Sequence, residues 1–262
     1  MLLTIAIVTY NCENILIKTL LSVSDLIKNS NEYSSLIEVI AIDGDSTDST
    51  LIKLNESKVL DTIVSEKDRG IYDAMNKAAK IAKGRYIIYM NAGDYFCCDE
   101  IIILLEHLNN NESDVVYGDT IVETSDHRKI LSKANKNISL TNSMPFCHQS
   151  VFTRTRIVRD IGFNEKFNIV ADKALFFSAY KKNCKFTYLP YKISLVDLVG
   201  LSGLNPLATY KEYLDMLLYN KAIHLISYYC RYIVFCSSIS FRNVLPKSIL
   251  KLIRQLRGYD TR

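Results

Sequence analysis

Two hydrophobic periods exchange regularly over the first 120 residues, and this constrains the chain more than any other feature. Leu2 to Val8 (LLTIAIV), Leu36 to Ile42 (LIEVIAI) and Tyr86 to Met90 (YIIYM) are continuous apolar runs. That is the pattern of strands buried on both faces. Between them, Asn14 to Ile27 repeats apolar residues at helical spacing, with Ile17, Leu20, Leu21 and then Ser24 on one face. Ser49 to Leu54 reads as a short helix, Thr62 to Val64 as a short strand, Ile71 to Ala82 as an Ala-rich helix, and Asp99 to Leu108 as another helix. Strand alternating with helix predicts an α/β fold, a Rossmann-like and mostly parallel central sheet flanked by helices. Ligands of such sheets lie outside the carboxyl ends of the strands.

After Ser113 the rhythm changes. Asp114 to Tyr117, Thr120 to Val122 and Lys129 to Leu131 read as short strands joined by turns, and the polar segment Lys133 to Pro145 as a loop or lid. Gln149 to Phe152 reads as a strand and Asp172 to Lys181 as a helix. Phe186 to Leu189 with Ile193 to Leu198 reads as a closing hairpin-like pair. These readings give a catalytic-sized body over residues 1–200 and a helical tail over 201–262.

The tail differs in charge. It holds nine basic and three acidic residues from Gly200 on, net +6, which leaves the first 199 residues at net −2 within a total of +4. Such a body is too nearly neutral to argue for nucleic acid as a partner. Tyr210, Tyr213, Leu214, Leu217 and Leu218 share a helical face, as do Ile249, Leu252, Ile253 and Leu256, with Lys247, Lys251, Arg254 and Arg257 beside them. Ala222 to Phe241 is long enough to span a bilayer, yet Arg231 at its centre would cost about 2.5–3.5 kcal/mol there. The tail therefore reads as a helix packed on protein or lying on a membrane surface. The seven Cys include no C-x-x-C pair, and Met1 leads into a strand-like run without a basic leader. Reduced thiols in the cytosol are the expectation.

Polar and acidic residues gather just past the strand ends: Thr9-Tyr10-Asn11, Asp43 to Asp48, Glu66-Lys67-Asp68 and Asn91 to Asp94. They fall along one rim of the sheet. Carboxylates repel phosphates unless a divalent cation intervenes, so the rim suits Mg²⁺ or Mn²⁺ bridging a diphosphate ligand. Taken singly, Asp45 or Ser46 can equally cap the following helix, and Asp-Gly is turn chemistry. There is no G-x-x-x-x-G-K-[ST], no G-x-G-x-x-G after the first strand, no H-E-x-x-H and no G-x-S-x-G. P-loop, dinucleotide, zincin and α/β-hydrolase chemistries are thereby set aside.

An ordered set of segments carries a resemblance: VTYN at 8–11, IDGDSTD at 42–48, SEKDRGIYDAMNK at 65–77, GRYIIYMNAGD at 84–94, YGD at 117–119, HQSVF at 148–152 and Ala171-Asp172. Over about residues 1–200 the chain resembles family 2 inverting glycosyltransferases of the glycosyltransferase A fold, of the kind that builds bacterial surface polysaccharides. The resemblance implies a nucleotide-diphosphate sugar donor, with uridine diphosphate expected. It also implies a glycan or polyprenyl-linked acceptor, a divalent metal, and a place on the inner face of the cytoplasmic membrane.

Carried across by position, Thr9, Tyr10, Asn11 and Asp43 stand at the nucleotide, and a carboxylate there can accept an imide N–H. Asp45, Asp68, Arg69, Asn91 and Ala92 surround nucleotide and sugar. Arg69 either pairs with phosphate oxygens or is solvated. The helix with Tyr72, Asp73, Met75 and Asn76 is expected to close under the diphosphate. Asn91 to Asp94 (NAGD) replaces the family's D-x-D, departing from it at the first and third positions, which leaves Asp94 as the metal ligand. Asp172 stands at the catalytic-base position, where it can also cap its helix. His148 and Gln149 are placed on the acceptor side. A sugar-phosphate nucleotidyltransferase, or a catalytically degenerate binding partner in an assembly complex, are the rival readings. The first lacks its Gly-rich basic loop after strand one, and the second rests on the NAGD departure.

Overall fold

Leu3 to Thr9 forms β1, the first-laid strand of a nine-stranded sheet in a computed structural model, which describes residues 1–97, 99–124, 126–136, 138, 144–197 and 205–244. Every β1 side chain is buried, as is every one of β2 (Ile37–Asp43). β1 pairs in parallel with β2 and with β4 (Tyr86–Asn91), and β2 with β3 (Thr62–Ser65). The continuous apolar runs thus become strands covered on both sides.

α1 (Leu16–Lys28) and α4 (Ile101–Asn110) cover one face, packing Leu16, Leu20, Val23, Leu104 and Leu105 against Ile5, Ile7, Val39 and Ile88. α3 (Ile71–Ile81) lies across β1 and β2 on the other face and buries Ala74, Met75, Ala78 and Ala79. α2 (Thr50–Glu56) joins β2 to β3. The buried face of α1 is Leu16, Thr19, Leu20, Val23 and Leu26, whereas Ile17 and Leu21 of the expected face are exposed. Apolar residues on both flanks of this helix made the two faces hard to tell apart by spacing.

The second half of the body differs from expectation in three places. Asp114 to Val122 is one strand, β6 (Val115–Glu123), not two with a turn. Gly118 does not turn the chain; a Cβ there would sit 2.6 Å from the Tyr191 carbonyl oxygen, so glycine admits a close neighbouring backbone. The expected hairpin at 186–198 is a single strand, β9 (Phe186–Asp197), parallel to β6. Its pairing jumps from Tyr117↔Tyr188 to Asp119↔Lys192, so Pro190 sits in a bulge rather than a turn. Gln149 belongs to a 3₁₀ turn (His148–Ser150), and the strand that follows is β8 (Val151–Arg154).

β8 runs antiparallel to β4 and β6, β7 (Lys129–Ser132) pairs with β6, and the two-residue β5 (Tyr95–Phe96) pairs with β9. α5 (Thr155–Ile161) and α6 (Ala171–Lys181) complete this half. The resulting strand order is β3-β2-β1-β4-β8-β6-β9-β5. It is the mostly parallel sheet flanked by helices that the alternation predicts. Residues 137 and 139–143 of the expected loop or lid lie outside the described residues.

By its contacts the chain falls into two compact units, Met1–Leu204 and Asn205–Arg262. In the second, α7 (Pro206–Tyr219) starts with Pro206 after Asn205, whose side chain accepts from Ala208 N at 3.1 Å. It buries Tyr213, Leu214, Met216 and Leu217. α8 (Leu225–Val244) joins it through Tyr228 Oη donating to Asp215 Oδ1 at 2.8 Å and through stacking of Phe235 on Tyr210. Among the described residues no helix is long and apolar enough to cross a membrane. The expected face at Ile249 to Leu256 lies outside them.

Candidate active site

The parallel register sets Ser65, Asp43 and Thr9 side by side at the ends of β3, β2 and β1, with Asn91 next along on β4. Asp43 is fully buried and accepts four hydrogen bonds: from Thr9 Oγ1 (3.1 Å), Ser46 Oγ (2.5 Å), Ser46 N (2.9 Å) and Ser65 Oγ (2.8 Å). Burial acts to raise its pKa, but the bonds from Ser46, Ser65 and Thr9 outweigh it and hold the carboxyl below the usual range. Its acceptor positions are all occupied, so Asp43 organises this corner, and an imide N–H would have to displace a serine hydroxyl.

Asn11, at φ +45°, takes Thr47 N on Oδ1 (2.8 Å) and gives its own N–H to Ser46 Oγ (2.9 Å). Asp45, at φ +67°, is exposed. Neither Asp45 nor Ser46 caps α2; Asp48 serves its first turn by accepting Thr50 N at 2.9 Å. Tyr10 is 62% exposed on the rim. Asp68 packs against Gly44, where a Cβ would come 2.5 Å from its Oδ2, and accepts Gly70 N at 2.9 Å. The β2 and β3 loops therefore meet at Asp68.

The Arg69 side chain is 74% exposed, and its guanidinium is 3.1 Å from Asp73 and 3.0 Å from Glu165. Glu165 lies far along the chain, which is why sequence gave no signal for it. The helix expected under the diphosphate also serves otherwise. Asn76 donates to the Phe163 carbonyl (2.9 Å) and accepts Phe163 N (2.8 Å), and Tyr72 Oη donates to the Ile169 carbonyl (2.8 Å). Thus α3 grips the loop that leads into Asp172.

Asp172 sits in the first turn of α6, half-buried, with Lys173 N donating to its Oδ1 at 2.8 Å. Tyr72 Oη stands 3.5 Å from the same atom, and the Tyr72 ring stacks on Phe163 at 5.6 Å.

The NAGD turn is held from α1. Thr19 Oγ1 donates to the Asp94 carbonyl at 2.7 Å and accepts Gly93 N at 2.9 Å. A threonine on the buried stripe of an amphipathic helix was the available signal for this role. Ala92 packs beside the core, and the Asn91 Oδ1 is buried without a hydrogen-bond partner among the described residues. Asp94 accepts Gln149 Nε2 at 3.0 Å. Burial pushes its carboxyl up to about 7, against the Asp197 backbone N–H and Gln149, with the Asp197 charge adding to the rise. Gln149, expected on the acceptor side, hydrogen-bonds to Asp94.

His148 is close enough to Asp172 to feel its charge, but burial dominates and lowers the imidazole pKa. Both ring nitrogens are buried without a hydrogen-bond partner among the described residues, and the ring stacks on Tyr89 at 5.6 Å. Next to it, burial pushes the Cys147 thiol up to about 11, with Asp94 and Asp172 both contributing. One three-residue segment, 147–149, therefore connects the two acidic positions.

The donor set fits a hard divalent cation. Asn91 offers a buried carboxamide oxygen, and Asp94 a buried carboxyl whose two N–H donors do not offset the burial. Among the described residues no three His, Cys, Asp or Glu side chains converge to hold an ion. A cation here would take much of its coordination from diphosphate oxygens.

A sequence model of glycosyl transferase family 2 matches residues 4–184. A "PGL/p-HBAD biosynthesis glycosyltransferase" of Mycobacterium bovis is 29% identical over 153 residues, 52% of this chain and 55% of that protein. The Escherichia coli "UDP-Glc:alpha-D-GlcNAc-diphosphoundecaprenol beta-1,3-glucosyltransferase WfaP" is 31% identical over 126 residues, 47% of each chain. The chain thus spans about half the length of these curated relatives. Residues 1–349 of S. aureus TarS, in complex with UDP, superpose with a TM-score of 0.62 at 20% identity, over 83% of this chain and 66% of that one. The shared fold is the glycosyltransferase A sheet.

Proposed function

The chain belongs to glycosyl transferase family 2, and on that premise we propose that it transfers a sugar, with inversion, from a nucleotide-diphosphate sugar to a glycan or polyprenyl-linked glycan of a surface polysaccharide. Uridine diphosphate is the proposed carrier, supported by WfaP, whose name gives UDP-Glc, and by TarS in complex with UDP. The observation that carries the proposal is the segment Cys147 to Gln149. It touches Asp94 through Gln149 and lies within electrostatic reach of Asp172.

In the proposed reaction the acceptor hydroxyl oxygen bonds to the anomeric carbon as the bond from that carbon to the diphosphate oxygen breaks. The hydroxyl proton passes to Asp172, the general base. Thr9, Asn11, Asp43 and Asp68 shape the nucleotide corner, Asn91 faces the ribose, and Asp94 with Asn91 would hold Mg²⁺ or Mn²⁺. Such an ion, when bound, offsets the negative charge that grows on the leaving diphosphate. His148 lines the acceptor side with an imidazole that burial keeps neutral.

We place the protein at a membrane surface through its tail. α8 leaves Leu225, Ile226, Tyr229, Ile233 and Val234 between 55% and 79% exposed, and the sequence that follows is basic. The test of function is incubation of the full chain and Mn²⁺ with UDP-, GDP- and dTDP-sugars and a polyprenyl diphosphate-linked acceptor, read by mass and by NMR of the new linkage. A glycosylated product with inverted anomeric configuration is expected. Retained configuration, or diphosphate released from a nucleoside triphosphate instead, overturns the proposal.

A further inference from the structure

Resting on the reading of Asp94 just given, we propose that Gln149 is a positioning residue for the Asp94 carboxylate, and that the Cys147 thiol fixes the orientation of the Gln149 amide. Gln149 Nε2 donates to Asp94 Oδ2 at 3.0 Å, and the Cys147 thiol donates to Gln149 Oε1 at 3.0 Å. An ionised carboxylate only accepts, so the NH₂ end of the amide belongs beside it. The carbonyl end then needs a donor, and the thiol supplies one. The reverse orientation would set two oxygens against each other at Asp94 and leave the thiol facing an NH₂ group.

The support continues inward. Thr120 Oγ1 is 2.6 Å from Ser150 Oγ, which is 2.6 Å from Ser194 Oγ, and all three hydroxyl residues are buried. Ser150 Oγ also donates to the Asp119 carbonyl at 3.2 Å, so these hydroxyls form a buried cluster beside the turn, while Cys147 donates to Gln149 and Gln149 to Asp94. The two links Cys147 to Gln149 and Gln149 to Asp94 point one way, and such links strengthen one another. They fix one carboxylate oxygen while Thr19 fixes the backbone of the same residue. The hydroxyl cluster ties β6 and β9 to the 3₁₀ turn that carries Gln149, and Gln149 reaches the β4 loop.

Removing hydrogen-bond partners of metal-ligating groups typically costs about 10–100-fold in metal affinity. The experiment is a titration of the full chain with Mn²⁺, following free Mn²⁺ by electron paramagnetic resonance, with the metal alone and with UDP added. Gln149→Met keeps length and loses the donor; its Mn²⁺ affinity is expected to fall by about 10–100-fold. Cys147→Ala is expected to lie between it and the native protein, and Cys147→Ser, which keeps a donor, to lie near native. Native-like Mn²⁺ affinity in Gln149→Met overturns the role of Gln149. Equal loss in Cys147→Ser and Cys147→Ala overturns the role of the thiol. Should Gln149→Met not fold, the two cysteine variants decide, because native affinity in Cys147→Ala also overturns the proposal. A native protein that takes up no Mn²⁺ with or without UDP is a separate result, and it removes the reading of Asp94 as well.

Discussion

The Tyr72 hydroxyl donates its one proton to the Ile169 carbonyl oxygen at 2.8 Å and stands 3.5 Å from Asp172 Oδ1. Because the carbonyl takes the proton, the tyrosine braces the approach to α6 without neutralising the carboxylate. Among the described residues the Tyr72 hydroxyl and Lys173 N meet Asp172 at Oδ1.

The two residues should therefore separate in kinetics. Asp172→Asn keeps the size and loses the base, and kcat should fall by about 10²–10⁴-fold with the donor KM little changed. Tyr72→Phe removes the hydrogen bond to the Ile169 carbonyl, which costs about 0.5–1.5 kcal/mol of stability. It should lower the melting temperature and reduce kcat far less than Asp172→Asn. Steady-state rates and a thermal melt on both variants check this. Equal loss of kcat in the two would mean that Tyr72 takes part in the chemistry.

Asp94 gives a pH dependence with a definite sign. Its folded carboxyl keeps a proton up to about 7, whereas the ordinary value is 3.8. Between those values the unfolded chain holds fewer protons than the folded one, so metal-free stability falls as pH rises through that window and flattens above it. Mn²⁺ must displace the same proton, so its apparent affinity should rise about tenfold per pH unit up to about 7 and then level. Urea melts in EDTA and Mn²⁺ titrations from pH 5 to 8 measure both. Asp94→Asn should abolish both slopes, and a slope that survives this change would place the titrating group elsewhere.

Much of the rim was legible because it depends on period. Apolar runs fix which residues are strands, parallel pairing fixes their register, and Thr9, Asp43 and Ser65 then fall into a row, with Asn91 opposite Val8. What stayed hidden depends on contacts between distant segments. Nothing local to Arg69 announces Glu165, and nothing local to Tyr72 announces Ile169. Pro190 reads as a turn when the neighbouring strand is unknown, and becomes a bulge only once β6 lies beside it. Gln149 shows the same limit at the site. Its pairing with His148 in sequence put both on one side, while adjacent side chains in a tight turn point to different partners, Asp94 for one and the Tyr89 ring for the other.

Asp43 should behave as a structural carboxylate first. Asp43→Ala leaves the Thr9, Ser46 and Ser65 hydroxyls without their shared acceptor, and hydrogen bonds to a charged group are worth about 1.5–3 kcal/mol each before cooperative losses. A loss of about 3 kcal/mol or more in chemical denaturation is expected, with weakened UDP binding in the same variant. The carboxyl is held below its ordinary 3.8, so its contribution is complete above that value and disappears as pH falls through the lower folded one. Asp43→Asn should therefore flatten the acid limb of the stability curve. Native stability in Asp43→Ala would show that the four bonds carry no net energy.

The proposed membrane contact of the tail can be separated into its apolar and ionic parts. Ile226 and Val234 are 79% and 68% exposed on α8, and fully burying such a side chain is worth about 1.5–3 kcal/mol. Each of Ile226→Asp and Val234→Asp should lower partitioning onto phosphatidylglycerol-containing vesicles by roughly tenfold or more, which corresponds to at least about 1.4 kcal/mol. Basic residues near an anionic surface add about 1 kcal/mol each, and salt screens them, so binding should also weaken as NaCl is raised and should be poor on phosphatidylcholine alone. Co-sedimentation of the full chain with both vesicle types measures these effects. If the aspartate variants sediment like the native protein, the exposed face of α8 is not the membrane contact. If the native protein binds neither vesicle while it dimerises in solution, that face is covered by another copy of the chain.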